Sequence, residues 1–249
     1  MSEKCYACGV EAPDGELTND HLPPDGFFPD PKPNNLITVR ACYKCNSGAA
    51  KDDEAFRLWV SSSAFRSAAG DKIWETKVIP SFQTRNRKLA QNIQPFLTER
   101  LVKTPYGRRQ TPIFSIPELR AKKFLTRLTK GLLHKFEPEY DYSSDEFLML
   151  NVLPTPEGIA TVTELVGMLI HDSRGQGVFD FCRGFTVEPE NKRGVWVYFF
   201  YQGACLVVFH GPRGSFPSIP LVMPLEARID RLTPVSKKLP FVLLPLSSK

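Results

Sequence analysis

Cys5-Tyr6-Ala7-Cys8 and Cys42-Tyr43-Lys44-Cys45-Asn46 are the stretches on which the fold turns. Each is a pair of cysteines two residues apart, and residues 9 to 41 lie between the pairs. A C-x2-C turn offers two sulfurs from one tight loop, and two such turns supply the four thiolates of a closed tetrahedral zinc site. Gly9 follows the first pair, where a glycine eases the turn. The first fifty residues are rich in Pro, Gly, Asp and Asn and carry few periodic apolar positions. A segment with so small a core needs a staple, and a structural Zn²⁺ on Cys5, Cys8, Cys42 and Cys45 is the expectation. The remaining cysteines, Cys182 and Cys205, fall in apolar runs and are expected to pack in the core.

Composition sets wider bounds. The chain has 249 residues, 42% of them hydrophobic, which is enough for a substantial core in one or two units. A formal charge of +5 and a pI near 8.9 permit a nucleic-acid partner without demanding one. The apolar run Val195 to His210 is broken by Gln202 and Gly203, too short to span a bilayer. The polar start shows no secretory signal. A cytoplasmic protein with no membrane partner is expected, where short-spaced cysteines serve as metal ligands rather than disulfides.

Between the cysteine pairs stands Thr18-Asn19-Asp20-His21-Leu22-Pro23-Pro24, then Asn34-Asn35-Leu36-Ile37, and Asn46 follows the last cysteine. This set, over residues 4 to 58, resembles the HNH or ββα-metal nuclease family, in its variant with asparagine as third signature residue. The resemblance implies a treble-clef-like zinc unit that hydrolyses phosphodiester bonds. His21 would be the general base, since an imidazole near neutrality can take a proton from water. Asp20 and Asn46 would hold a second, catalytic ion. Oxygen donors favour Mg²⁺ or Mn²⁺ there over softer metals. Asn35 would hold the loop or orient His21, and Asn46 would also suit the cap of the following helix. Lysine in this family often follows the third signature residue more closely than Lys51 follows Asn46, so Lys44 and Arg40 are candidate phosphate contacts beside it. The partner implied is DNA, with RNA open as well. One such unit nicks one strand, so a double-strand break calls for a homodimer or two visits. Small nucleases of this kind also suggest a regulatory protein partner and a role in defence against foreign DNA.

The rest of the chain is read from pattern alone. Phe56, Trp59 and Val60 place a helix over residues 52–63. Short strands are expected at Lys77 to Phe82, Leu101 to Thr104 and Ile113 to Ile116. Arg85, Arg87, Lys88, Arg108 and Arg109 make this stretch basic and are candidate backbone contacts to nucleic acid. A helix should start at Pro117-Glu118, with Leu125, Leu128, Leu132 and Phe136 on its apolar face. Lys122, Lys123, Arg127 and Lys130 fall on its other side. Further strands are expected at Phe147 to Val152, Phe179 to Val187, Val195 to Tyr201 and Cys205 to Phe209. The last two form a hairpin about Gln202-Gly203-Ala204. A short helix is expected at Thr163 to Ile170. The fold class is therefore α+β: a zinc unit over 1–62, a basic connecting region with an amphipathic helix over 63–143, and an α+β unit with an antiparallel sheet of four or five strands over 144–249. The competing functions are a zinc-containing nucleic-acid-binding protein that does not cut, and a nuclease gated by a sensing C-terminal unit.

Overall fold

The computed structural model describes residues 3–12, 16–62, 67–80, 97–104, 107–114, 116–152, 156–175, 177–186, 193–216 and 243–244; for 97–104, 107–114 and 243–244 only the backbone is described. The elements are mixed helices and antiparallel sheets. Strands β1 (Glu3–Lys4) and β2 (Glu11–Ala12) flank the first cysteine turn. Strands β3 (Leu17–Leu22) and β4 (Ile37–Cys42) form a hairpin that pairs Asp20 with Val39 and His21 with Thr38. Helices α1 (Tyr43–Gly48) and α2 (Ala50–Ser61) follow directly. Helix α3 (Ala68–Ile73) runs into a π-helical turn, Trp74–Val78. Residues 77–80 are therefore helical where a strand was expected. The β-branched pair Val78-Ile79 mimics strand composition, but Ile73 and Val78 are buried on one helical side.

Strands β5 (Leu97–Thr104) and β6 (Gly107–Phe114) make a hairpin longer than the two short strands expected there. Helix α4 (Glu118–Phe136) starts after Pro117, as expected, and buries Phe124, Leu125, Leu128, Leu132 and Leu133. The C-terminal sheet has six strands in the order β12-β7-β11-β10-β9-β8, one more than the upper expectation. They are β7 (Asp145–Val152), β8 (Ile170–Arg174), β9 (Phe179–Phe185), β10 (Gly194–Phe200), β11 (Ala204–Pro212) and β12 (Leu243–Leu244). Helix α5 covers Pro156–Val166. The helix expected at Thr163 to Ile170 thus begins earlier, at a proline suited to the first turn, and Ile170 opens a strand.

The sheet is buried on both faces, and its strands show why. Along β10, Trp196, Tyr198 and Phe200 point one way, while Val195, Val197 and Phe199 point the other. The second set packs with Val162, Leu165 and Val166 of α5 over Leu150, Cys182 and Val207. The first set meets α4 and the four-cysteine segment in one continuous core. Phe27 from the β3–β4 connection, Phe56 of α2, Phe124 of α4 and Phe200 of β10 cluster there. The Phe56 and Phe124 ring centroids lie 3.9 Å apart, and those of Phe56 and Phe200 5.3 Å apart. Tyr201 donates its hydroxyl to the Phe27 carbonyl at 2.8 Å. The β10–β11 turn places Tyr201 and Gln202 at positive φ, and Gly203 N–H closes it on Phe200. Two central residues at positive φ match the right-handed twist of a hairpin, and the burial of Tyr201 holds them there. The core thus crosses residues 62 and 143, the boundaries suggested by composition. Among the described residues no helix is long and apolar enough to cross a membrane.

Candidate metal centre and its neighbourhood

The four cysteines of the two turns come together. Their sulfurs all lie within 4.8 Å of one another, and Cys8 Sγ is 3.9 Å from Cys42 Sγ. A zinc tetrathiolate with bonds of about 2.3 Å has an S–S edge of about 3.8 Å, so the donor set fits zinc. Local backbone geometry builds the cluster. Cys5 N–H bonds Val10 O at 2.9 Å and Gly9 N–H bonds Cys5 O at 2.8 Å, which closes the first turn with Gly9 at φ +74°. Tyr6 N–H bonds Arg40 O at 3.1 Å and ties that turn to β4. Cys42 ends β4 and is the N-cap of α1, and Cys45 lies one turn into that helix.

The thiols titrate against one another. Burial raises the Cys5 thiol, but the backbone amides of Cys42, Cys8 and Ala7 outweigh it and bring it down to about 7. Burial and the neighbouring thiols push Cys45 well up. The Cys5 thiolate forms readily, and its charge helps to hold Cys45 protonated. A dication removes that conflict and lets all four ionise, as a coordinating metal does.

Asp20 and His21 leave β3 on opposite sides, as an extended strand requires. Asp20 is 4% exposed. Its Oδ2 accepts the Tyr6 hydroxyl at 2.6 Å and Arg127 Nη1 at 3.0 Å. Arg127 reaches on to Asp53 Oδ1. Arg127 therefore turns inward from α4, a correction to its expected place on the polar side of that helix. Burial raises the Asp53 carboxyl to about 6, against the pull of Arg127. Burial, the Asp20 charge and their shared hydrogen bond hold the Tyr6 phenol far above its usual range. Tyr6, Asp53 and Arg127 had no signal in the sequence pattern that tied them to Asp20.

His21 is half-buried, with Nδ1 3.2 Å from Thr38 Oγ1 across the hairpin. Asn46 lies inside α1 rather than at its cap. Its Nδ2 donates to Thr18 Oγ1 at 3.0 Å and Asn19 O at 3.1 Å, which joins α1 to the strand that carries Asp20 and His21. Asn35 stands exposed in a turn and makes no hydrogen bond among the described residues. Arg40 is taken up by Glu3 Oε2 at 3.0 Å and Asn19 Oδ1 at 2.7 Å. Lys44 and Lys51 are exposed. Arg108 and Arg109 lie in β6. Arg85, Arg87 and Lys88 lie outside the described residues.

A divalent ion at Asp20 does not fit the residues as they stand. One carboxylate oxygen already holds a phenol and a guanidinium, and that guanidinium is itself a cation 3.0 Å away. Asp20 is arranged as a counter-ion to Arg127.

A second buried dyad lies in the C-terminal sheet. His210 Nδ1 is 2.7 Å from Asp145 Oδ2, which also accepts the Tyr140 hydroxyl at 2.8 Å. The ring is fully buried among Tyr140, Phe147 and Phe185. With its Nε2 against Gly194 there is no room for a substrate, and the pair is structural.

No family model matches the chain, and no curated protein or solved structure matches it significantly.

Proposed function

We propose that the chain is a zinc-stapled nuclease of the HNH type, which hydrolyses phosphodiester bonds of DNA with His21 as general base. In this reading the first sixty residues are a treble-clef-like ββα-metal unit. The observation that carries it is the reach of Asn46 back to Thr18 and Asn19. It draws helix, hairpin and both cysteine turns around one short strand bearing Asp20 and His21. In the tautomer whose Nδ1–H donates to Thr38 Oγ1, His21 keeps the Nε2 lone pair for a proton from water. Among the described residues nothing bonds that nitrogen.

A second reading is a nucleic-acid-binding protein on the same scaffold that does not cut. The specific observation in its favour is the Arg127 guanidinium on Asp20. Plasmid nicking with added Mg²⁺, with Mn²⁺ and with neither separates the two. The nuclease reading expects the wild type to nick and His21→Ala to lose about 100-fold or more, the scale of a removed general base. Equal behaviour of the two proteins removes His21 from the chemistry. No nicking by the wild type under any condition leaves the binding reading.

A further inference from the structure

A groove of about 410 Å³ runs along α4 beside the second cysteine turn. Its walls are Lys122, Lys123, Thr126 and Lys130 of α4 together with Ala7 and Cys45, and Arg127 forms part of its lining. These helix positions recur at three- and four-residue steps, so they share one stripe of the surface. No carboxylate lines the groove. Among the described residues Lys122 and Lys123 have no anionic partner, whereas Arg127 is neutralised by Asp20 and Asp53. Lys130 sits 6.0 Å over the Phe147 ring, a contact that leaves its ammonium free to meet an anion.

We propose that this groove is a phosphate-backbone site for nucleic acid, with Lys122, Lys123 and Lys130 as its contacts. The proposal rests on the reading of the chain as one that acts on nucleic acid, and it names where the strand lies. Residues 122 to 130 span about 12 Å of helix, at 1.5 Å per residue. One strand of a duplex presents about three or four phosphates over that length, which suits three ammonium groups. A point charge on a flexible stem serves a backbone whose sequence is not read. A zinc tetrathiolate would carry a charge of 2−, and Cys45 lines the groove, so part of the lysine charge offsets the cluster. Three ammonium groups exceed that dianion. The groove also adjoins the Asp20 side of β3 through Arg127.

The test uses the full zinc-loaded chain, fluorescence anisotropy with a labelled duplex of about 20 base pairs, and no added divalent ion, over roughly 50 to 200 mM salt. For Lys122→Gln/Lys123→Gln/Lys130→Gln, affinity should fall at least tenfold at about 100 mM salt, and the log–log salt slope should flatten by about 2 to 3. Zinc content should stay as in the wild type. An unchanged slope overturns the groove while leaving the nicking reading intact. Loss of zinc with the lysines assigns them to the cluster instead, and also overturns it. So does polyglutamate of equal charge that displaces the duplex at equal concentration, since the site would then prefer acidic chains of any kind. A wild type that does not bind DNA overturns it as well.

Discussion

Replacing Arg127 with methionine should unfold the chain far more easily at neutral pH than at acid pH. The side chains of Arg127, Asp20 and Asp53 are 11%, 4% and 16% exposed, so the substitution strands two carboxylates in a space closed to water. Removing one partner of a buried ionic group costs about 3–5 kcal/mol. For a chain of this size that is a fall in Tm of about 6–20 °C. The pH dependence follows from Asp53, whose folded carboxyl titrates at about 6. An unfolded aspartate titrates at about 3.9, so the folded chain binds more protons between those values. The group's contribution to stability is full below about pH 4 and is lost as pH rises through about 6. Without the guanidinium the Asp53 carboxyl rises further and protonates sooner. Urea unfolding of both zinc-loaded proteins at about pH 5 and about pH 7.5 measures this, and the deficit should be at least about 1 kcal/mol smaller at the lower pH. A deficit under about 1 kcal/mol, or one equal at both pH values, refutes the buried cluster as the account of Asp20.

Two further outcomes test its surroundings. Tyr6→Phe removes the hydroxyl that binds Asp20 Oδ2 and should cost about 2 kcal/mol in the same assay, the scale of a hydrogen bond to a charged group. Gly194→Ala would drive a Cβ into the His210 ring, which Asp145 and three aromatic rings pin in place. It should cost about 3 kcal/mol, the upper range for overpacking, and thermal melts would show it.

The parts of the molecule legible in sequence are those decided locally. Cysteine spacing announces the cluster because two-residue gaps dictate how sulfurs share a turn. The apolar stripe Leu125, Leu128, Leu132 announces α4, and the apolar runs around Gln202-Gly203 announce the β10–β11 hairpin. What stayed hidden depends on partners far apart in the chain. Arg127 reads as one more cation on a basic helix, and only the packing of α4 on β3, 107 residues earlier, turns it inward. His210 and Asp145, 65 residues apart, meet for the same kind of reason. The four-cysteine unit over 1–62 reads as separate because the sequence pattern changes after it. It is completed by Phe124 and Phe200 from distant elements, so residues 1–62 alone would expose the Phe27–Phe56 face.

Everything built around Asp20, His21 and Asn46 hangs on four thiols closing on one ion. The direct measurement is metal content with thiol titration on the purified native chain. The account predicts about one zinc per chain, released as Cys5, Cys8, Cys42 and Cys45 are modified, and lost in Cys45→Ser. A chain that folds without zinc, or one in which these cysteines are paired as disulfides, contradicts it.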